Sequence, residues 1–522
     1  MRYHDKTIDR LNDTNMACIF DDLTRLCFKD SCNLINISPD DWKYKFLNFK
    51  PDIFMVESAW CGYKNSWGNI ISSSKEEKLK PLSDILTFCK KNDIPTIFWN
   101  KEDPVSFDLF LPVAKKFDYV FTTDEGCIVK YKNALNHKRV YSLLFAANPK
   151  IHNPIKILEE RNSKACFAGA YYRLRYPQRC EDLNEILDAA VNTIGLEIYD
   201  RNYKLGMIQY RFPKKYMPFV KGSLEAEELD IANKGYKVMI NVNSIKNSNT
   251  MFSRRVFEGL ACGTPVVSSY SKGIKNIFKD LVFMGNCIDD IEKEFLRLSQ
   301  DENYYENKVI KGIRYILNNH TYNHRLIYIL SKIGIGIKEE VKNIAVISKV
   351  NSKDDFNKFI EMYNKQTYRY KKLIIITNNK NIIKLKKYNK NISYILYDEK
   401  SKYKFLDNFI NEEYISIINV KNNYGENYLE DLINATLYTD ADFIGKKSYY
   451  IEDKEQLKCI NKSSSFKYVN NIDLDKGILK FKSLSNYTLE ELIKDVNKNY
   501  IKLDNLPIKY FSIDNFNLIC KI

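Results

Sequence analysis

The 522-residue sequence lacks what several large classes of protein require. No apolar run approaches the roughly 18 residues needed to cross a bilayer. Met1 to Asn15 is polar and charged throughout, with no apolar stretch of the kind that opens an export signal. A cytoplasmic location is the expectation. Cysteine is present twelve times, but scattered among apolar neighbours and without a Cys-x-x-Cys pair, so neither a zinc site nor a disulfide framework is indicated. Histidine is scarce. Of the five, only His320 and His324 stand close together, and with no third ligand they read as helix surface, leaving no metal site. The absence of Gly-x-Gly-x-x-Gly counts against a dinucleotide-dependent dehydrogenase.

What is present is a long, ordinary globular composition, 44% hydrophobic and 28% charged. That length exceeds one core and implies two or three domains. The net charge of +15 could attract nucleic acid, anionic lipid headgroups or an anionic polymer, and does not choose among them. Peripheral association with the inner face of the cell membrane is therefore compatible with it.

After a leader, 1–15, read as mobile or as an edge helix, short buried strands are expected at Asn33–Ile37, Ile53–Val56, Thr96–Trp99 and Tyr119–Thr122. A helix is expected at Leu79–Lys91. Strands alternating with helices imply a parallel α/β sheet, here over residues 1–150. Ligands bind beyond the carboxyl ends of such strands. The loops there deliver Glu57, then Glu102 and Asp103, then Asp124 and Glu125 to one edge. Glu102 and Asp103, with Glu57 behind them, are the general-base candidates, and Trp60 and Trp67 could stack on sugar rings. Helix N-caps and first-turn acids are the competing reading of each carboxylate.

Turn-rich residues 145–160 read as a linker to a second α/β domain, 151–340. It opens with a strand at Cys166–Ala168, a Gly169 corner followed by Tyr172 and Arg173, and a helix after Pro177. Arg175 and Arg179 lie close by. A strand at Tyr236–Val242 leads through Asn243 to Thr250–Ser268, TMFSRRVFEGLACGTPVVS, with Lys234 and Lys237 flanking. An N-cap-like Ser253, Arg254 and Arg255 form a phosphate seat, and Glu258 could accept from ribose hydroxyls. A core helix and buried strand of any α/β domain would have the same outline.

This stretch resembles the donor-nucleotide segment of GT-B glycosyltransferases, and in particular the bacterial CgeB-like group, where Arg-x-Phe-Glu precedes a Gly-Thr-Pro, Val-Val run. The resemblance implies two Rossmann-like domains in GT-B arrangement. Gly169, Tyr172, Arg173, Asn243, Ser253, Arg254, Arg255, Glu258, Gly263 and Thr264 would line the donor site. The final helices, 288–337, would return to the first domain. Related retaining families carry two glutamates eight positions apart. Glu258 falls on the second and Thr250 on the first, so the stereochemistry is left open.

The tail, 341–522, begins strand, helix, Gln366-Thr367, strand, and resembles the opening of family 2-type GT-A glycosyltransferases. Val420-Lys421-Asn422 stands where that family places its metal-binding aspartates, which implies a degenerate module without metal. Together these resemblances imply transfer from a nucleotide-sugar, UDP-linked first of all, to a hydroxyl of a cell-surface or spore-surface glycan or glycoconjugate. A lipid-linked or protein acceptor is included in that class, and no cofactor is needed. The alternatives are a non-catalytic glycan-binding or scaffold protein of a surface-polymer assembly, or a basic nucleic-acid-binding protein.

Overall fold

The computed structural model describes residues 6–338, 340–384, 392–454, 456–484, 486–498 and 508–521. The chain divides into two compact units, Met1–Glu339 and Glu340–Ile522.

The first unit is α/β, with two parallel Rossmann-like sheets. In the first sheet the strands are β1 (Asn15–Ile19), β2 (Asn33–Asn36), β3 (Ile53–Glu57), β4 (Thr96–Asn100), β5 (Tyr119–Thr122) and β6 (Val140–Ser142). Their order is β2-β1-β3-β4-β5-β6, every pair parallel. The second sheet holds β7 (Asn162–Gly169), β8 (Leu196–Asp200), β9 (Val220–Gly222), β10 (Tyr236–Asn241), β11 (Val266–Ser268) and β12 (Val282–Phe283), in the order β9-β8-β7-β10-β11-β12, again all parallel. Strands covered on both faces read as continuous apolar runs, and β3 and β4 are buried at every residue.

Period-two alternation sorts the first sheet's side chains into two cores. Ala17, Ile19, Phe54, Val56 and Phe98 face one. Met16, Cys18, Ile53, Met55, Ile97 and Trp99 face the other, whose remaining wall is the last helix of the unit, Tyr322–Ile333. Its apolar stripe of Tyr322, Leu326, Ile329, Leu330 and Ile333 follows helical spacing. The expected return of the final helix to the first sheet is therefore found. Residues 144–147 and 320–325 are the two crossings between the sheets, and they are stitched together. Ala147 N donates to His320 O at 2.9 Å, Tyr322 N to Ala147 O at 3.0 Å, and the Arg325 guanidinium to Phe145 O at 2.8 Å.

Three readings are corrected. The start of the chain is neither an edge helix nor a mobile leader, because Thr7–Ile8 pairs in parallel with Gly336–Ile337, and β1, not anticipated as a strand, is paired on both sides. His320 and His324 are not helix surface. His324 closes a capping box with Thr321, Nδ1 to Oγ1 2.7 Å, while His320 packs on Phe257, Phe278 and Tyr315, and burial brings the two imidazoles down to about 3 and about 4. Trp67 is wholly buried, its indole N–H bonded to Ile37 O at 2.7 Å, which leaves Trp60, 40% exposed, as the aromatic at that edge.

The second unit holds a mixed sheet whose parallel part runs Ile392–Leu396, Lys371–Thr377, Ile344–Lys349, Tyr414–Ile417, followed by the antiparallel Gly477–Lys480. The helix Lys353–Lys365 lies between the first two strands in the chain, as the tail's pattern indicated. All twelve cysteines are free, nine of them buried. Among the described residues no helix is long and apolar enough to cross a membrane, and no group of His, Cys, Asp and Glu is placed to hold a metal ion.

Candidate active site

Parallel sheets bind ligands where the strand order reverses. In the second sheet that point lies between the carboxyl ends of β7 and β10, and Arg255 spans it. One guanidinium nitrogen donates to Asn241 Oδ1 at 3.2 Å, the other to Ala168 O, and the plane lies over Phe167, 5.4 Å from the ring centroid. Gly169 admits it, since a Cβ there would meet Arg255 Nη2 at 3.0 Å and Phe167 Cζ at 2.8 Å.

Arg179 stands close by in the helix Pro177–Asn192, buried, donating to Ala170 O at 3.0 Å with Tyr172 beneath its guanidinium. Among the described residues neither Arg179 nor Arg255 is ion-paired with a carboxylate. Burial, with Arg179 and Arg254 adding repulsion, brings Arg255 down to about 10, and Arg179 too is lowered by burial. Two neighbouring guanidinium groups held in this way are short of a counter-anion. Arg255 is half-buried, leaving part of it open to a ligand.

Helix Arg255–Ala261 carries Glu258, buried, with Arg254 Nε at 3.4 Å and His152 Nε2 at 3.9 Å from Oε1. Burial opposes the Arg254 charge, but Glu258 and then Cys27, Tyr322 and Glu57 more than offset it and raise the guanidinium. His152, its Nδ1 accepting from Asn148 N at 3.1 Å, is lowered by burial and stays neutral. Ser253 Oγ accepts from Arg255 N at 3.3 Å. Asn243 is buried and bonded to Ser268 and Ser269, bracing the ends of β10 and β11.

Several expected site residues stand elsewhere. Gly263 and Thr264 precede β11, at the edge away from the crevice. Gly263 is packed against Ile313 and Val309, and the Thr264 hydroxyl donates to Asn233 O and accepts from Arg161. Lys234 and Lys237 precede or open β10 at that same far edge, Lys234 paired with Asp230 at 2.9 Å and Lys237 lying over Tyr305. Arg173 is exposed on the loop after β7, and the buried place beside Arg255 belongs to Arg179. An arginine two positions after a proline that starts a helix was the available signal for it.

The first sheet reverses between β1 and β3, and charge gathers there too, but satisfied. Glu57 is wholly buried, accepting from Asp21 N and Thr24 Oγ1, both at 2.6 Å, and pairing with Lys101 at 3.1 Å; burial holds its carboxyl above the usual range. Asp21 caps the turn 60–62 and lies 3.4 Å from Lys101. Asp103, also wholly buried, accepts from Thr122 Oγ1 at 2.6 Å and Asn100 Nδ2 at 2.8 Å, and burial pushes it up to about 7. Glu57 and Asp103 thus hold loops, with no face left for an acceptor. Of the three base candidates Glu102 alone is half-exposed.

The two strand-end edges face one another. Ser248 Oγ donates to Asp124 Oδ1 at 2.7 Å, and the Asn249 amide donates to Glu125. Thr250, at the position of the missing glutamate, accepts from Glu125 N at 2.9 Å and donates to Thr123 O at 2.7 Å. A cavity of about 570 Å³ borders this clasp, lined by Gly126, Val129, Ile245 and Asn247 among others.

Residues 185–331, the helix and strands that carry Arg255 and Glu258, match the family described as glycosyl transferase-like. That stretch is glycosyl transferase-like. Among curated proteins the spore protein CgeB of Bacillus subtilis (strain 168) is 25% identical over 189 residues, covering 34% of this chain and 57% of that protein. The match therefore spans little more than half of the relative's length. Among solved structures, TarM is 15% identical with a TM-score of 0.37, covering 55% of this chain and 57% of that one. HepE of Anabaena, solved with UDP and glucose, is 9% identical with a TM-score of 0.40, covering 62% of this chain and 99% of that one.

Proposed function

We propose that the first unit is a metal-independent glycosyltransferase, moving a sugar from a nucleotide-sugar, UDP-linked in the first instance, to a hydroxyl of a cell-surface or spore-surface glycan or glycoconjugate. The observation that carries this reading is the Arg255 and Arg179 pair at the β7/β10 reversal, two guanidinium groups short of an anion in a stretch that is glycosyl transferase-like. A nucleoside diphosphate supplies that anion. As the sugar C1–oxygen bond breaks, its electron pair passes to the diphosphate, and fixed guanidinium groups stabilise the charge where it develops. Glu258, steadied by Arg254, holds the ribose hydroxyls. In an inverting transfer the acceptor oxygen attacks C1 and its proton passes to Glu102. Ser253 and Asn243 position Arg255 and the strand ends, and Gly169 keeps the approach open.

The second unit is proposed as a degenerate GT-A-like module that binds glycan without metal. In place of a carboxylate cluster, Asn419 and Asn422 donate to the buried Asp475 at 3.3 and 3.0 Å, and Lys421 borders a cavity of about 660 Å³ with Lys358, Lys365 and Lys521. A thermal-shift panel of UDP, GDP, CMP and their sugar conjugates, with and without Mn²⁺, tests the assignment. One nucleotide class raises the unfolding temperature, with or without Mn²⁺, and its sugar conjugate is turned over. Absence of any shift refutes the reading.

A further inference from the structure

Beside the proposed donor crevice, on the loop after β7 and the segment after β8, the molecule exposes an apolar surface set in unbalanced positive charge. The two stretches are one surface, because Arg201 N donates to Gly169 O at 3.1 Å and the Tyr172 and Tyr210 rings meet edge to face at 5.8 Å. Leu174 is 76% exposed and Ile208 72%, with Tyr203, Leu205 and Met207 each about half exposed around them. These side chains ride on short 3₁₀ turns, Tyr203–Leu205 and Ile208–Tyr210, and cover no core. An apolar cluster of this kind in water needs a partner.

Charge identifies that partner. Residues 165–180 and 201–221 contain no aspartate or glutamate. Glutamates and aspartates elsewhere neutralise Lys204, Lys215 and Lys221. Among the described residues Arg175, Arg201, Arg211 and Lys214 are left without a carboxylate, all exposed. Apolar tips within a ring of free cations match the acyl boundary and headgroups of an anionic bilayer. A protein partner would need an acidic rim around an apolar pocket.

We propose that this surface docks the protein on anionic lipid, Leu174, Leu205, Met207 and Ile208 entering the headgroup boundary and the free cations meeting lipid phosphates. The mouth of the β7/β10 crevice then lies at the bilayer, where a lipid-linked acceptor would be presented. Vesicle binding requires neither donor nor transfer, so the proposal stands or falls apart from the enzymatic reading.

The test is co-sedimentation of the full chain with vesicles of phosphatidylcholine alone, or mixed with phosphatidylglycerol. Three charge-defined variants accompany it: Leu174→Asn with Ile208→Asn, which keeps the charge; Arg211→Gln with Lys214→Gln; and, as a control losing the same charge elsewhere, Lys90→Gln with Lys91→Gln. Unchanged unfolding temperatures verify folding of all three. The wild type and the control bind phosphatidylglycerol vesicles, while the first two variants each lose about tenfold or more in affinity. Wild-type binding by the apolar variant, or an equal loss in the control, would reveal mere adsorption of a basic protein and overturn the proposal. Failure of the wild type to bind such vesicles overturns it as well.

Discussion

The two sheets of the first unit have the same architecture and opposite electrostatics at their reversal points. Between β1 and β3 the charges are consumed internally, with Glu57, Asp21 and Lys101 satisfying one another and two backbone turns. Between β7 and β10 the charges are of one sign, and the acceptors of the Arg255 and Arg179 guanidinium groups are neutral oxygens. A polar residue at the end of a buried strand must find a partner. Where the protein provides it the residue is architecture, and where the protein withholds it the residue is available to a ligand. That difference, rather than the presence of a carboxylate or an arginine, separates the loop-holding edge from the proposed donor edge.

The largest effect expected from breaking this contrast is at Arg255. Arg255→Ala should abolish the nucleotide-dependent thermal shift and lower kcat/KM by about a hundredfold or more, with Arg255→Lys recovering only part because a point charge cannot span Ala168 O and Asn241 Oδ1. The carboxylates sharpen the comparison next. Glu102→Gln should cost about a hundredfold in kcat with the unfolding temperature unchanged. Glu57→Gln should do the reverse, losing about 3 kcal/mol of stability because Lys101 is left buried beside a neutral group. Denaturant unfolding and turnover, measured on the same preparations, separate the two. Gly169→Ala should have a smaller effect, about tenfold weaker donor binding by calorimetry, since its Cβ would push on Arg255 Nη2 and Phe167.

The smallest effect is a pH signature of Asp103. The folded protein keeps that proton up to about pH 7, whereas the unfolded chain releases it in the ordinary carboxyl range. The native state therefore binds more protons in that window, and wild-type stability falls relative to Asp103→Asn by about 1.4 kcal/mol per pH unit as pH rises to 7, then levels. The neutral His320 and His324 act in the opposite direction and are common to both proteins, so the difference between wild type and variant isolates Asp103. A pH-independent difference would mean that Asp103 ionises normally.

How much of this was legible without coordinates follows the length scale of each feature. Strands β3, β4 and β5 are short apolar runs ending in turn residues, and they fall within a residue of their expected bounds. Strand β1 was missed because NMACI lacks β-branched density, and its neighbours on both sides come from later in the chain. Arg254, Arg255 and Glu258 were visible as a motif. Motif membership did not reveal that Gly263 and Thr264 sit at the opposite edge, since helix Arg255–Ala261 carries the chain from one end of the sheet to the other. Burial of Glu57 and Asp103 depended on Thr24, Lys101 and Thr122, partners that no local pattern announces. Thr250 is similar. The sequence shows a missing glutamate, and the structure shows a hydroxyl joining the two halves.

The most direct measurement is calorimetric titration of UDP, and separately of uridine, into the full chain in the presence of a metal chelator, repeated with Arg179→Gln. If the unpaired guanidinium groups seat a diphosphate, UDP binds without metal, uridine binds at least about tenfold more weakly, and the variant loses most of that difference. Equal affinity for UDP and uridine, or binding of UDP that appears only with Mn²⁺, would contradict the account.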